Sequence, residues 1–386
     1  MNLLSLTTLS AILWLALGTQ PLRVLAQGRL LDSATLAKQR TYKNIYEALK
    51  ETDKVYKLDL STSDLYELPP EVGDLLNLQM LDVSYNSLDS LPSQLCNLKN
   101  LQVLRIARNR ITHLPDELGN LVNLKELSAA HNELATLPAS IGKCENLYII
   151  DVNNNKLTAL PPELGRLKKV YECNVSSNKL TALPFLIGSM TNLVELRLAS
   201  NKLTALPKEL GWLKKLVHLD VSSNKITELP AEICQIPTLT TLKLSPNKLE
   251  TLPQSIGNLK ALVELNVAYN RLKTLPESIG ELTKLERLNL SGNALTAFPK
   301  ELCKLKNLRL LQLAGNNIPD LPREVADLVG LETWYLSRNA IAKLPETMFH
   351  LKMLRDIFLE GNPVAKNKRE LRSLREMLPN VTITAE

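Results

Sequence analysis

A repeat of 23 residues runs through most of the chain and restricts its possible folds more than any other feature. Read from Val55, the pattern L-x-x-L-x-L-x-x-N-x-L-x-x-L-P-x-x-I/L-G-x-L-x-x fits thirteen times through Met353. An altered fourteenth copy begins at Leu354. Positions in each copy are numbered from 1 to 23, with Val55 at position 1. A register kept this long predicts a stack of equivalent units, each packed on its neighbours.

The chemistry of each position indicates what one unit does. Positions 4 to 6 alternate apolar and polar residues, which is the period of a strand. One strand cannot bury its apolar side alone, so stacked copies are expected to form a parallel sheet over a continuous leucine core. Proline holds position 15 from Pro69 through Pro345, where it fixes φ as the chain turns back. The return segment is long enough for only one or two helical turns.

Asparagine occupies position 9 in every copy except the first, which has Ser63. Its side-chain amide both donates and accepts hydrogen bonds, so it can satisfy backbone groups where the chain bends after the strand. Stacked copies therefore predict a ladder of structural side chains: Asn86, Asn109, Asn132, Asn155, Asn178, Asn201, Asn224, Asn247, Asn270, Asn293, Asn316, Asn339 and Asn362.

These motifs resemble the leucine-rich repeat proteins of the 23-residue LPxxIGxLxxL type. Bacterial leucine-rich repeat proteins carry this type, and cytosolic scaffolds related to Ras pathways are similar. The resemblance covers roughly residues 55–380. It implies an α/β solenoid, a horseshoe of about 14 repeats, with a concave parallel β-sheet and short helical turns on the convex side. It says little about the ligand, because one fold hosts many functions.

Both ends of the repeat array are predicted to be caps, which a stack of repeats needs. Residues 27–54 are expected to contain a capping helix within 41–54, where four apolar residues have a helical spacing: Tyr42, Ile45, Tyr46 and Leu49. The solenoid is assigned to residues 55–360, and the C-terminal cap to residues 361–386. That cap is predicted to be a loop, then a helix and a last strand; its apolar residues are Leu371, Leu374, Leu378 and Val381.

Residues 1–26 have the features of a secretory signal peptide. An apolar run from Leu3 to Gly18 is followed by small residues before a cleavage point after Ala26. No Lys or Arg precedes the apolar run, so an uncleaved anchor and a start codon placed upstream of a cytosolic protein are the alternatives. No later run is long and apolar enough to span a bilayer. A secreted, periplasmic or cell-surface protein of bacterial type is predicted, with the cytoplasm as the alternative.

The cysteines and the charge exclude several function classes. The closest repeat-core cysteines, Cys144 and Cys173, are two copies apart, about 10 Å, whereas a disulfide needs Cα atoms within about 7 Å. Five free, mostly buried thiols are therefore expected. Secreted animal members usually have cysteine-bridged caps, so their absence favours a bacterial or cytosolic protein. The net charge of +6 is mild, and lysines alternate with glutamates on the return segments, so nucleic acid is not an expected partner.

No sequence feature indicates catalysis. Phosphate-loop, zinc-protease and nucleophile-elbow motifs are all lacking. The four histidines fall in copies three, four, eight and thirteen, so they cannot share a metal ion. A non-enzymatic protein with no cofactor and no metal is predicted.

The surface that the repeats present is the candidate for function. In this family, side chains at positions 3 and 5 project onto the concave face. The candidate partner-binding residues are Glu172, Glu195, Arg197, His218, Asp220, Lys243, Arg287, Leu310, Tyr335 and Phe358. The middle of this face is polar, and its C-terminal end carries the last three, which are apolar or aromatic. Exposed aromatic residues are typical interface anchors, but these could instead pack against the C-terminal cap.

Two further groups of surface residues, at positions 2 and 10, each allow two interpretations. Tyr148 and Tyr171 occupy position 2 of adjacent copies, where they could form a binding edge or simply pack across strands. Position 10 carries Lys156, Lys179, Lys202, Lys225, Lys248 and Arg271 in successive copies. This basic row could attract an acidic partner or polysaccharide, or its charges could spread into water.

The sequence thus predicts a monomeric protein that binds another macromolecule outside the cytoplasm on its concave sheet. A protein is the expected partner, with a polysaccharide as the second class. One alternative is a cytosolic signalling scaffold that binds a small GTPase or a phosphatase. The other is a structural or adhesive component of the cell surface.

Overall fold

The computed structural model describes residues 29–385, which form one parallel sheet of sixteen strands. Each strand pairs with the next strand in the chain, as expected for a solenoid. The strands are β1 Thr41–Tyr42, β2 Lys57–Asp59, β3 Met80–Asp82, β4 Val103–Arg105, β5 Glu126–Ser128, β6 Ile149–Asp151, β7 Glu172–Asn174, β8 Glu195–Arg197, β9 His218–Asp220, β10 Thr241–Lys243, β11 Glu264–Asn266, β12 Arg287–Asn289, β13 Leu310–Gln312, β14 Thr333–Tyr335, β15 Asp356–Phe358 and β16 Thr382–Thr384.

The predicted horseshoe-shaped α/β solenoid is confirmed. Strands β2 to β15 are the fourteen repeat strands, while β1 and β16 belong to the caps. Equivalent residues pair in register, so that Leu196, Leu219 and Leu242 lie side by side. All three are fully buried, and together with the other inward leucines they form one continuous core. The residues on either side of them face away from the core, on the concave surface.

The return segments form single short 3-10 helices rather than α-helices, because five residues allow little more than one turn. They are Pro70–Asp74, Ser93–Asn97, Asp116–Asn120, Ala139–Lys143, Pro162–Arg166, Phe185–Ser189, Lys208–Trp212, Ala231–Gln235, Ile256–Asn258, Glu277–Glu281, Lys300–Lys304, Arg323–Asp327 and Glu346–His350. Neighbouring segments pack closely at position 19. A Cβ atom on Gly188 would lie 2.1 Å from the carbonyl oxygen of Glu209, so this contact requires glycine.

The position-9 asparagines connect each repeat to the one before it. In Asn201, Oδ1 accepts a hydrogen bond from the backbone N–H of Leu180 at 3.0 Å. Its Nδ2 donates to the carbonyl oxygens of Val175 and Leu198, both at 3.0 Å. The same three-way pattern recurs from Asn86 to Asn362. Backbone groups that the bend leaves inside the molecule are thereby satisfied.

The N-terminal cap differs from the single helix expected within residues 41–54. Residues 29–54 contain α1 Ser33–Ala37, strand β1, α2 Ile45–Ala48 and a 3-10 turn Thr52–Lys54. Tyr42 lies in β1, which pairs with β2, and its side chain is buried. An exposed sheet edge has unpaired backbone groups, and a strand satisfies them where a helix cannot. Tyr46, one of the apolar residues behind the prediction, is 71% exposed.

The C-terminal cap has the predicted order of helix and strand. It comprises α3 Pro363–Lys366, α4 Lys368–Met377 and β16. Leu374 and Leu378 are buried on the last repeat, and β16 pairs with β15 to cover that edge.

The five cysteines are all free and buried, as their spacing predicted. Within residues 29–385, no helix has the length and apolar character needed to cross a membrane. The predicted signal peptide, residues 1–26, lies outside the described residues.

Candidate binding surface on the concave sheet

The concave surface is made of the position-3 and position-5 side chains on either side of each buried central leucine. On β8, for example, Glu195 and Arg197 flank the fully buried Leu196. The sheet register fixes the spacing of these side chains along the surface, and the asparagine ladder fixes the bend that follows each strand. Every predicted partner-binding residue is therefore placed on this face, at least partly accessible to solvent.

The polar middle of the surface is organised by ion pairs. Arg197 contacts Glu172 on the preceding strand at 2.9 Å and Glu195 on its own strand at 2.6 Å. The three predicted residues thus form one network across β7 and β8. Its members are partly exposed, so the pairs contribute little to stability, but they hold the arginine between two carboxylates.

A second network lies three strands further on. Glu264, which sequence reasoning did not select, approaches Lys243 at 3.8 Å and Arg287 at 3.5 Å. His218 is exposed between the two networks. Asp220 is turned back towards its own chain, where Oδ1 accepts a hydrogen bond from the backbone N–H of Ser222 at 2.9 Å.

The aromatic residues at the C-terminal end stack on each other. The rings of Tyr335 on β14 and Phe358 on β15 are 4.3 Å apart between centroids and 3° from parallel. Both side chains are half-buried. The cap residue in register with Phe358 is Thr384. Leu310 lies in the other row, beside Thr333, so the structure brings two of the three predicted residues together.

A cavity of about 530 Å³ lies at the N-terminal end of the concave face. It is bounded by α1 on one side and by strands β2 to β7 on the other. Its apolar and aromatic lining consists of Leu36, Ala37, Met80, Val103, Tyr148, Ile149 and Tyr171. Sequence reasoning missed it, although the apolar residues at position 3 of copies two and three, Met80 and Val103, were a signal.

Tyr148 and Tyr171 are part of this cavity rather than a simple cross-strand stack. Their ring centroids are 6.5 Å apart and the rings are tilted by 43°. The two tyrosines are 39% and 42% exposed, so both remain partly accessible to a ligand.

Comparison with known proteins agrees with this architecture. The family model described as leucine-rich repeat region matches residues 19–134, and a model of two leucine-rich repeat copies matches residues 122–165. The model described as leucine rich repeat matches residues 191–249, 214–272, 237–295, 260–318 and 306–364. A solved leucine-rich repeat protein of Leptospira interrogans is 36% identical, with 89% of this chain and 99% of that chain covered and a TM-score of 0.64. The chain belongs to the leucine-rich repeat family.

Other solved structures with the same fold come from plants and from other bacteria. A plant peptide hormone receptor, solved in complex with RGF2, is 28% identical with a TM-score of 0.74. The alignment covers 90% of this leucine-rich repeat chain and 56% of the receptor. The effector protein YopM of Yersinia pestis is 28% identical, with 82% and 80% covered and a TM-score of 0.60. The comparison with curated proteins gives no significant match.

The side chains of the basic row at position 10 of this leucine-rich repeat protein extend into solvent. All six of its side chains are exposed. Within residues 29–385, only one of them forms an ion pair, Lys156 with Glu133 at 2.8 Å. Such a row is a diffuse positive edge rather than a shaped site.

The chemical groups on the described residues of this leucine-rich repeat protein are suited to binding. Residues 29–385 contain no cluster of His, Cys, Asp and Glu that could hold a metal ion. Burial raises the pKa of the Cys144 and Cys173 thiols to about 12, which keeps both thiols protonated and unreactive. The concave face therefore combines a curved surface with two ion-paired networks, an aromatic stack and a cavity with an apolar and aromatic lining.

Proposed function

We propose that this leucine-rich repeat protein is a non-enzymatic binding protein that acts outside the cytoplasm and holds a protein ligand on its concave sheet. The stacked pair of Tyr335 and Phe358 is the observation that carries this proposal. Two half-buried parallel rings form a rigid apolar platform at the C-terminal end of a face whose middle is polar. Aromatic side chains of this kind supply much of the energy of protein interfaces.

The rest of the surface suits the same role. Because the strand register and the asparagine ladder already order the concave side chains, the protein would lose little conformational entropy when it binds a ligand. The networks around Arg197 and Glu264 place both signs of charge beside each other, which supports selection of a partner with a complementary pattern. The similar plant peptide hormone receptor was solved in complex with RGF2, which supports a ligand-binding role for this chain.

The proposed setting outside the cytoplasm is supported by the apolar leader, residues 1–26. Mass spectrometry of the protein accumulated by its host, after cell fractionation, tests this point. A mature N-terminus at Gln27 in an exported fraction is expected. An intact Met1, or an internal start, in the cytoplasm would contradict export and make small GTPases the first partners to test.

The binding site is tested by crosslinking in the native host, identification of the captured protein, and measurement of its affinity. Replacing both Tyr335 and Phe358 by Ala is expected to weaken binding by about 30-fold or more, as for an interface hot spot. Phe185, which is 59% exposed on a return segment, gives the matched control, and Phe185→Ala should leave the affinity unchanged. Equal affinities for the wild type and the double variant would remove the aromatic pair from the site.

A further inference from the structure

Helix α1 forms one wall of the cavity at the N-terminal end of the sheet, and hydrogen bonds hold this wall in place. The segment before α1 is fixed to the sheet by two glutamines at position 2. The backbone N–H of Leu31 donates to Oε1 of Gln79 at 2.9 Å, and Nε2 of Gln79 donates to the carbonyl oxygen of Arg29 at 3.1 Å. Nε2 of Gln102 donates to the carbonyl oxygen of Leu31 at 2.9 Å and to Oε1 of Gln79 at 2.6 Å.

These contacts hold α1 over the concave face. Gln79 and Gln102 are almost fully buried, at 0% and 3% exposure. Buried amides with all these partners fix geometry, because losing one leaves polar groups unsatisfied. At the end of α1, Nζ of Lys57 donates to the carbonyl oxygen of Ala37 at 3.1 Å. The wall of the cavity is therefore attached at both of its ends.

The size and lining of the cavity suit a small molecule. Its volume of about 530 Å³ falls within the roughly 300–1,000 Å³ of small-molecule sites. Such sites combine a mostly apolar lining with a few polar groups that orient the ligand. Tyr148 and Tyr171 provide open ring faces, and Leu36, Val103 and Ile149 provide aliphatic surface.

The charges around the cavity favour the binding of an anionic ligand. Lys125 lines it and is half-buried, yet its ammonium group forms no ion pair or hydrogen bond with any of residues 29–385. The one acidic lining residue, Glu126, is already bound to Arg105, with Nε to Oε1 at 2.8 Å. A second lysine, Lys57, adds positive charge at the rim. A lysine ammonium group that has no partner within the protein is free to pair with an anion that enters the cavity.

We propose that this cavity binds a small molecule composed of an apolar body and one carboxylate. The carboxylate pairs with the ammonium group of Lys125, and the apolar body lies between the two tyrosine rings and α1. The proposal does not depend on the proposed protein ligand, because Tyr335 and Phe358 lie on β14 and β15 at the opposite end of the sheet.

Isothermal titration calorimetry of the purified protein at pH 7 tests the proposal, with 4-phenylbutanoate and its neutral amide as probes. The acid is expected to bind at least tenfold more tightly than the amide. Lys125→Gln should abolish that tenfold difference, whereas Lys225→Gln, at an exposed lysine of the basic row, should preserve it. Equal affinity of the acid and the amide, or a preference that survives Lys125→Gln, would overturn the assignment.

A second variant tests the location without relying on charge. Val103→Trp places a large ring in the cavity from a partly exposed strand position, and it should abolish binding of both probes while the circular dichroism spectrum is unchanged. Retained binding in this variant would place the ligand elsewhere.

An acetylated hexapeptide that ends in Phe is the third probe. If it binds and 4-phenylbutanoate does not, the cavity takes peptide C-termini and the small-molecule proposal is wrong.

Discussion

The backbone N–H of Leu180 donates a hydrogen bond to Oδ1 of Asn201, which lies 21 residues further along the chain, at 3.0 Å. The same amide donates to carbonyl oxygens of its own repeat and of the preceding one. One side chain therefore satisfies buried backbone groups in two units. The regular spacing of the concave face depends on this link, which recurs from Asn86 to Asn362.

Removing one ladder side chain should destabilise the whole solenoid. Asn201→Leu keeps the branched shape and the number of side-chain heavy atoms but leaves the N–H of Leu180 and the carbonyl groups of Val175 and Leu198 without their partner. Each unsatisfied buried group costs about 1–3 kcal/mol, so the free energy of unfolding is expected to fall by about 3 kcal/mol or more. Guanidinium denaturation followed by circular dichroism measures it.

The matched control for the ladder is Asn380→Ala, at an exposed asparagine of the C-terminal cap. It is expected to change the free energy of unfolding by less than about 0.5 kcal/mol. If Asn201→Leu and Asn380→Ala had equal effects, the ladder would not be the source of the cohesion between repeats.

Glycine at position 19 gives a second stability prediction, because the clearance differs between copies. An added Cβ would lie 2.1 Å from the Glu209 carbonyl oxygen at Gly188, but 2.8 Å from that of Glu301 at Gly280. Gly188→Ala is therefore expected to lower the free energy of unfolding by about 2 kcal/mol through overpacking. Gly280→Ala should cost less because its Cβ would have more clearance, while the gain of about 0.4–1 kcal/mol from the less flexible unfolded chain applies to both variants. The reverse order in thermal or chemical denaturation would contradict this account.

Much of this fold could be predicted from the sequence, because essentially the same 23-residue pattern recurs in fourteen consecutive repeats. Position 4 must be apolar to build the core, and position 9 must both donate and accept hydrogen bonds. Both requirements can therefore be recognised in the sequence. The N-terminal cap occurs once and has no such repetition. Tyr42 and Tyr46 fit a helical spacing, yet the need to pair the edge of β2 places Tyr42 in a strand.

The candidate sites were predicted less completely for a related reason. The surface rows follow from the register, so the position of Tyr335 and Phe358 on one face was foreseeable. The cavity depends on contacts between residues far apart in sequence, such as Leu31 with Gln102, 71 residues away. No periodic pattern marks Gln79 or Gln102 as anchors, and a lysine without a partner, such as Lys125, can be recognised only once its neighbours are placed.

Buried thiols should make stability depend on alkaline pH. Burial raises the pKa of Cys173 to about 12, whereas an unfolded cysteine has a pKa of about 8.5. The folded state holds the proton more tightly, so this contribution is complete below the unfolded pKa and is lost as pH rises towards the folded pKa. The wild type should therefore lose unfolding free energy about 1.4 kcal/mol per pH unit faster than Cys173→Ala between about pH 9 and 11. Parallel pH profiles would contradict this prediction.

The same burial predicts chemical inertness. In the native protein at pH 8, the five thiols, all buried, should not react with a disulfide reagent, and all should react in guanidinium, because only an accessible thiolate attacks. Rapid labelling of a native thiol, located by mass spectrometry, would show that its repeat opens.

The attachment of the N-terminal segment gives the last prediction. Gln102→Met keeps a long side chain at position 2 but removes the donor to the Leu31 carbonyl oxygen at 2.9 Å. The segment should then detach more often, since its backbone would exchange that bond for water. Trypsin is expected to cleave after Lys38 at least tenfold faster, while the global unfolding midpoint changes little, because the leucine core of the repeats is untouched. Lys125→Gln is the control, because the Lys125 side chain lines the same cavity but forms no hydrogen bond with residues 29–40, and it should leave the cleavage rate unchanged. A rate unaffected by Gln102→Met would mean that the bond to Gln102 does not hold α1 in place, and that the cavity wall depends on other contacts.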